Sequence, residues 1–203
     1  VYRRSRADLL RGQFDRQSTR EIEKSYLNYY AAQYPDILLK ESISVEDDIH
    51  TNTITVTETY TVPHIWQPSD TDGRVEATFQ PLELYHLINL PATRRRSMPL
   101  HVDHPIRFQQ TTHVALSDDW EIGPESVHIE DEAMVFDQNI RYEDRHLTIS
   151  NTFRTRTDHV SAEQAPAHLS KLKRLKNELG YLLYTPVEGP VKPPCSPLAG
   201  GTC

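Results

Sequence analysis

The chain has 203 residues and a formal net charge of −7, which argues against a nucleic-acid partner. Hydrophobic residues make up only 37% of the chain, and no apolar run approaches the ~20 residues of a membrane helix, so membrane insertion is not expected. Glycine is scarce, and neither a GxGxxG nor a GxxxxGK[ST] motif occurs, which excludes Rossmann-type and P-loop nucleotide enzymes.

The chain begins with a connecting segment that leads into a helix. Residues 1–17 are predicted to be a linker or the end of a preceding strand, as in a piece of a longer protein. Ser18 and Glu21 then form a capping-box pattern, in which each side chain can bond the other residue's backbone amide. A helix is predicted over residues 19–33, because Pro35 stops it. Its apolar stripe consists of Ile22, Tyr26, Tyr29 and Tyr30.

Period-two alternation follows the helix and predicts a series of short strands. Residues 52–62 read NTITVTETYTV, the clearest strand pattern in the chain. The polar residues 46–51 separate this strand from Ile43 and Val45, so a hairpin is expected. Further strands are predicted near residues 75–79, 84–88, 106–116, 127–129, 133–140 and 147–153.

A second helix is predicted over residues 166–179, where four leucines form an apolar stripe and Gly180 follows as a C-terminal cap. Short alternating strands between two helices indicate an all-β fold, an antiparallel β-sandwich with one helix near the N-terminus and one near the C-terminus. We predict a single mainly-β domain over residues 18–186. Residues 187–203 are rich in proline and glycine and are predicted to be a disordered tail.

The only two cysteines are Cys195 and Cys203, both in the tail. A cysteine nucleophile in a packed site and a structural zinc site are therefore not expected. The two thiols could close a small disulfide loop in an oxidising compartment, or could stay free on an unpacked end.

One long stretch resembles a known family. It reads YLNYYAAQYP from Tyr26 and VEDDIHTNTITVTETYTVPHIW up to Trp66, and the later turn at residues 118–120 and the closing LGY agree with it. The order of these motifs resembles the region C-terminal to the transglutaminase-like core in bacterial cell-envelope proteins that also carry an N-terminal domain of unknown function. The resemblance covers about residues 1–184.

The resemblance implies a catalytic Cys-His-Asp core of transglutaminase or papain type upstream of this chain. A thiolate nucleophile needs a cysteine, so no catalytic residue transfers to any position here. The chain is therefore expected to be a non-catalytic accessory domain in the periplasm or cell envelope. Its partners would be the upstream transglutaminase-like domain of the same polypeptide and other envelope proteins.

Two acidic or histidine-containing segments could bind metals. His101, Asp103 and His104 offer three ligand types, but in an extended segment His104 would point away from the other two, which favours a solvated loop. Residues 46–48, Glu-Asp-Asp, could bind Ca²⁺ through their oxygens. The segment lacks the spacing of a dedicated calcium loop, and a polar hairpin turn is the favoured interpretation.

Charged residues elsewhere invite both structural and functional interpretations. Glu58 lies on the apolar face of the best strand, so pairing with an arginine is expected. The arginines at 94–96 are expected to form a solvated loop rather than a phosphate or lipid site. The basic residues at 171, 173, 174 and 176 are expected to lie on the outer side of a helix that docks through its leucines.

These considerations assign no catalytic, cofactor-binding or metal-binding residue and no cofactor. Two alternatives to the accessory domain stay open. One is an independent ligand- or carbohydrate-binding module, which a groove of aromatics such as Tyr60 and Trp66 would favour. The other is a hydrolase with an unrecognised site, which a deep pocket with convergent titratable groups would favour.

Overall fold

A computed structural model describes residues 1–3, 5–68, 74–91 and 97–185. Strand makes up 42% and helix 25%, so the predicted excess of strand over helix is confirmed. The structure groups the chain into two compact units, Val1–Val75 and Glu76–Thr185, and the single domain over residues 18–186 stays a prediction. The two units contain separate clusters of buried apolar side chains.

The first unit combines two helices with a small antiparallel sheet. Its elements are β1 (Tyr2–Arg3), α1 (Ser5–Arg16), α2 (Thr19–Ala31), β2 (Leu38–Asp48), β3 (Thr53–Thr61) and β4 (Gln67–Pro68). Strand β3 lies between β1 and β2 and pairs antiparallel with both. The predicted hairpin is present, with Val45 opposite Val56.

Helix α1 occupies the segment for which the sequence predicts a linker or the end of a strand. Only the two residues of β1 match that prediction. Ala7 and Leu10 are buried against Ile54, and Phe14 packs beside them, so the helix is held by one narrow stripe. The spacing of three and four residues places these side chains on one helix face.

Helix α2 begins with the predicted capping box. The Ser18 amide donates to Glu21 Oε2 over 2.8 Å, and the Glu21 amide donates to Ser18 Oγ over 3.4 Å. Ile22 is completely buried. The helix ends at Ala31, four residues before Pro35.

The second unit begins with β5 and contains the larger core. Its elements are β5 (Val75–Phe79), α3 (Leu82–Leu87), β6 (Leu100–His101), β7 (Arg107–Ala115), β8 (Glu125–Glu130), β9 (Met134–Glu143), β10 (His146–Thr155), β11 (His159–Val160), α4 (Ala165–Glu178) and β12 (Tyr181–Thr185). The strand predicted near residues 84–88 is wrong, because this segment forms helix α3. Leu84 and Ile88, four residues apart, are both buried.

Strands β7, β10, β9 and β8 form a four-stranded antiparallel sheet in that order. Side chains alternate between its two faces, and one face is buried. Phe153 on β10 lies between Phe108 and Phe136 on the neighbouring strands. Leu169, Leu172 and Leu175 of α4 belong to the same buried cluster, so a helix covers this sheet face.

The remaining short strands of the second unit form small open sheets. Strand β6 pairs with β11, and β5 lies beside β12. The described residues form four helices, whereas the sequence predicts two. Helices α1 and α3 are additional to the helices near residues 19–33 and 166–179. None of the described helices is long and apolar enough to cross a membrane.

One buried polar pair lies on the inner face of the four-stranded sheet. Gln138 on β9 is opposite Asn151 on β10, and both are buried. Gln138 Nε2 donates to Asn151 Oδ1 over 3.0 Å and to the Glu178 carbonyl over 3.2 Å. The second bond ties the sheet to the last turn of α4, where helix carbonyls lack helical partners.

Candidate functional site

A cavity of about 270 Å³ lies within the second unit, beside the buried face of the sheet. Its walls come from the end of α3, the segment around β6, strands β9 and β10, and helix α4. The apolar lining includes Leu87, Ile88, Leu100, Met134, Phe153 and Leu172. The polar groups at its surface include His101, Asp103, Thr155 and His168. A mostly apolar pocket with a few polar groups is the usual form of a ligand site.

His168 is the most deeply buried polar side chain of the cavity, at 4% exposure. Helix α4 places it there because Ala165, Leu169 and Leu172, its neighbours on the same helix face, are all buried. Its Nδ1 lies 2.7 Å from Asp131 Oδ2. Asp131 follows β8, in the short turn that leads into β9.

Asp131 is held by the turn as well as by the histidine. Its Oδ1 accepts from the amides of Ala133 and Met134 over 2.8 and 2.9 Å. Burial alone would raise the pKa of Asp131, but the hydrogen bonds from His168 and the two amides outweigh it and lower the pKa. Asp131 is therefore ionised at neutral pH and can only accept hydrogen bonds.

The ionised carboxylate fixes the tautomer of the histidine. Because Asp131 only accepts, Nδ1 of His168 carries the hydrogen that joins the two side chains. In the neutral imidazole, Nε2 is then the nitrogen with a free lone pair. His168 is one of the residues that line the cavity.

The hydroxyl of Thr155, at the end of β10, is already used within the protein. Thr155 Oγ1 accepts from the Ile106 amide over 2.9 Å and lies 3.0 Å from His104 Nδ1. The first bond holds the start of β7 beside the end of β10. The Thr155 hydroxyl thus holds Ile106 and His104 in place beside the cavity.

In the segment considered as a possible metal site, His101 and His104 have different partners, as the alternation of an extended segment predicts. His101 Nε2 lies 3.4 Å from Asp103 Oδ1, and both side chains are largely exposed. His104 turns instead to Thr155. Among the described residues, no three His, Cys, Asp or Glu side chains are grouped so as to hold a metal ion.

The acidic residues 46–48 are bound by groups of the first unit. Asp47 receives two hydrogen bonds from Arg11, of 2.8 and 2.6 Å, which lower the pKa of this carboxyl. Asp48 Oδ1 accepts from the amides of His50 and Thr51 over 2.9 and 3.2 Å. The predicted polar hairpin turn with an aspartate accepting backbone N–H bonds is confirmed.

Glu58 bonds a neighbour on its own strand, and its pairing with an arginine stays a prediction. Tyr60 donates its hydroxyl to Glu58 Oε2 over 2.7 Å. Burial and this bond raise the pKa of Tyr60. The Tyr60 ring also packs edge-on against Tyr30, with centroids 5.2 Å apart. The aromatic groove considered with Trp66 therefore has one of its rings packed within the first unit.

The basic residues of α4 lie on its outer side, and its leucines dock on the sheet as predicted. Lys171 Nζ donates to the Glu130 carbonyl over 2.7 Å. Lys176 Nζ lies 4.2 Å from the centre of the Tyr85 ring. The arginines at 94–96 and the tail with Cys195 and Cys203 lie outside the described residues.

Comparison with known proteins yields one partial structural likeness. No family model matches the chain, and no curated protein is significantly similar to it. A crystal structure from Parabacteroides distasonis, titled as that of a "putative protease", superposes with a TM-score of 0.43 at 12% sequence identity. The match covers 54% of this chain and 23% of that one. A likeness this partial carries no information on activity.

Proposed function

We propose that this chain is a non-catalytic accessory domain of a transglutaminase-like bacterial envelope protein and that it acts by binding. The supporting observation is the cavity of the second unit. Its described lining residues include neither serine nor cysteine, and the Thr155 hydroxyl bonds His104 and Ile106. This supports a binding role, because these polar groups already hold hydrogen bonds within the protein.

Under this proposal the partner is a transglutaminase-like domain in the same polypeptide, located in the periplasm or cell envelope. We place the contact on the polar face of the four-stranded sheet. Thr111 and Thr152 are exposed there, and they alternate with half-buried residues on β7 and with buried residues on β10. The sandwich predicted from the sequence would need a second sheet, which the partner could supply on this face.

The test begins with the reading frame upstream of this chain, which should encode a Cys-His-Asp core. That domain, produced separately, should bind this chain in calorimetry. Thr152→Arg on the polar face should weaken binding at least tenfold, because it places a bulky charge in the contact. Thr57→Arg, at an exposed strand position of the first unit, is the matched control and should leave binding unchanged. A reading frame without such a core, or two domains that do not bind, would refute the proposal.

The isolated chain should show no transglutaminase or cysteine-protease turnover. Acyl transfer or amide hydrolysis that a thiol reagent abolishes would contradict the accessory role, since it would require Cys195 or Cys203 as nucleophile.

A hydrolase is the second candidate, and the Asp131–His168 pair beside the cavity favours it. A carboxylate that orients a histidine is part of a hydrolytic triad, and Thr155 carries a hydroxyl among the described residues that line the same cavity. Ester hydrolysis by the purified chain that falls roughly 10²-fold or more in His168→Gln would establish this function. Absence of turnover in the wild type favours the binding role.

A further inference from the structure

We propose that the cavity of the second unit binds a small, neutral, mostly apolar molecule with one hydrogen-bond donor, of the phenol class, whose hydroxyl donates to His168 Nε2. This inference goes beyond the accessory role, because it concerns the isolated chain and needs no partner domain.

The size of the cavity sets the size of the ligand. An apolar cavity of about 150 Å³ is enough to hold benzene. A cavity of about 270 Å³ therefore accommodates one aromatic ring with a short substituent. Leucine, isoleucine, methionine and phenylalanine side chains line most of it, so the ring is transferred from water to an apolar surface.

The charges around the cavity favour a neutral ligand. Asp131 is ionised behind His168, and Asp103 lies at the cavity beside His101. Two carboxylates disfavour a carboxylate or phosphate ligand. A cation would lose its hydration against the apolar walls, and the Asp103 side chain, which is 70% exposed, compensates little for that cost.

The hydrogen bond to Asp131 decides which kind of polar group the ligand carries. His168 Nδ1 donates to Asp131, so Nε2 is the acceptor when the ring is neutral. Thr155 is a poorer partner for the ligand hydroxyl, because its own hydroxyl already bonds Ile106 and His104. A ligand hydroxyl that donates to Nε2 gains a hydrogen bond that the corresponding methyl ether cannot make.

The test compares 4-ethylphenol with its methyl ether, 4-ethylanisole, on the isolated chain. Titration followed by calorimetry and by ¹H–¹⁵N NMR of the histidine rings should show the phenol binding at least tenfold more tightly. The His168 spectrum should report hydrogen on Nδ1 and perturbation of Nε2. Leu172→Trp, which fills the cavity from α4, should abolish binding of both probes while the circular dichroism spectrum is retained.

Asp131→Asn tests the role of the tautomer directly. The asparagine oxygen can still accept from Ala133 and Met134, while its NH₂ donates to His168 Nδ1, which moves the ring hydrogen to Nε2. The preference for the phenol over the ether should then disappear. Asp137→Asn makes the same change at the exposed His128–Asp137 pair, 2.6 Å apart, and should leave the preference intact.

Three outcomes would overturn the proposal. Failure of both probes to bind at millimolar concentration would remove the ligand site. Equal binding of both probes to the wild type would leave an apolar cavity without a role for His168. An equal change of the preference in Asp137→Asn and Asp131→Asn would show that the effect does not come from the cavity. None of these outcomes bears on whether a transglutaminase-like partner binds the sheet.

Discussion

Asp131 is the single side chain on which most of the candidate site depends. One oxygen accepts hydrogen bonds from two amides of the turn between β8 and β9, and the other accepts a hydrogen bond from a histidine on α4. A carboxylate that accepts three hydrogen bonds stabilises its ionised form and the folded state together. Both the turn and the helix position are therefore coupled to the ionisation of this group.

Asp131→Asn should cost about 1 kcal/mol of unfolding free energy at pH 6, because a charged acceptor is replaced by a neutral one. The pKa of Asp131 is lowered on folding, so its contribution is present above the ordinary carboxyl pKa and is lost as pH falls through the folded value. Urea unfolding between pH 6 and pH 3 should show the difference between wild type and variant shrinking. A difference that is constant with pH would contradict this.

The sequence predicted local side-chain interactions but missed this distant pair. The Asp48 turn and the Ser18–Glu21 box join residues two or three positions apart, so their bonds follow from local geometry. Asp131 and His168 are 37 positions apart. The only sequence indication was a histidine on the leucine stripe of α4, which no local rule connects to a particular carboxylate.

At the scale of single elements, the two missed helices have weak sequence patterns. Helix α1 buries a narrow stripe between charged residues, and α3 is only six residues long. In a segment that short, two buried residues four apart fit a helix and a strand about equally well. Packing against the core decides, and the sequence pattern does not contain that information.

The capping box of α2 provides a test at this scale. Ser18→Ala should destabilise the protein by about 1 kcal/mol, because the first helical turn loses a side-chain acceptor. Ser25→Ala, at an exposed position inside the same helix, is the matched control and should be neutral or slightly stabilising. Equal effects of the two variants in thermal or urea unfolding would argue against a capping contribution.

The β9–β10 hairpin provides a second test at the scale of single elements. Asp144 and Arg145 both have positive φ, of 48° and 62°, which suits a two-residue turn but strains a side chain without glycine's freedom. Arg145→Gly should therefore raise the unfolding free energy by about 0.5–1 kcal/mol. Arg141→Gly, in the middle of β9, should lower it. A destabilised Arg145→Gly protein would show that the arginine side chain contributes more than the turn strain costs.

At the scale of the whole molecule, the sequence predicted the strands better than the layers. Alternation on β9 and β10 shows that one sheet face is buried, but it does not show what covers that face. A second sheet was expected on the buried face, and helix α4 packs on that face. The apolar surface of a leucine-rich helix and that of a second sheet satisfy the same pattern.

The separate cores of the two units lead to a calorimetric prediction. Leu175→Ala in the second unit and Ile54→Ala in the first should each cost about 2–5 kcal/mol, because both side chains are almost completely buried. If each unit unfolds cooperatively by itself, each variant lowers one of two thermal transitions and leaves the other in place. A single transition that both variants lower would show that the chain unfolds as one cooperative block.

The buried Gln138–Asn151 pair makes the pairing of β9 and β10 unique. Slippage of one strand by two residues would keep every side chain on its own face, so apolar burial alone would tolerate it. Asn151 would then lie opposite Phe136 or Ile140 on β9 and would lose its hydrogen bond with Gln138. A lost hydrogen bond between buried side chains costs about 1 kcal/mol, so these two residues discriminate against the shifted hairpin, which another pair of leucines would not do.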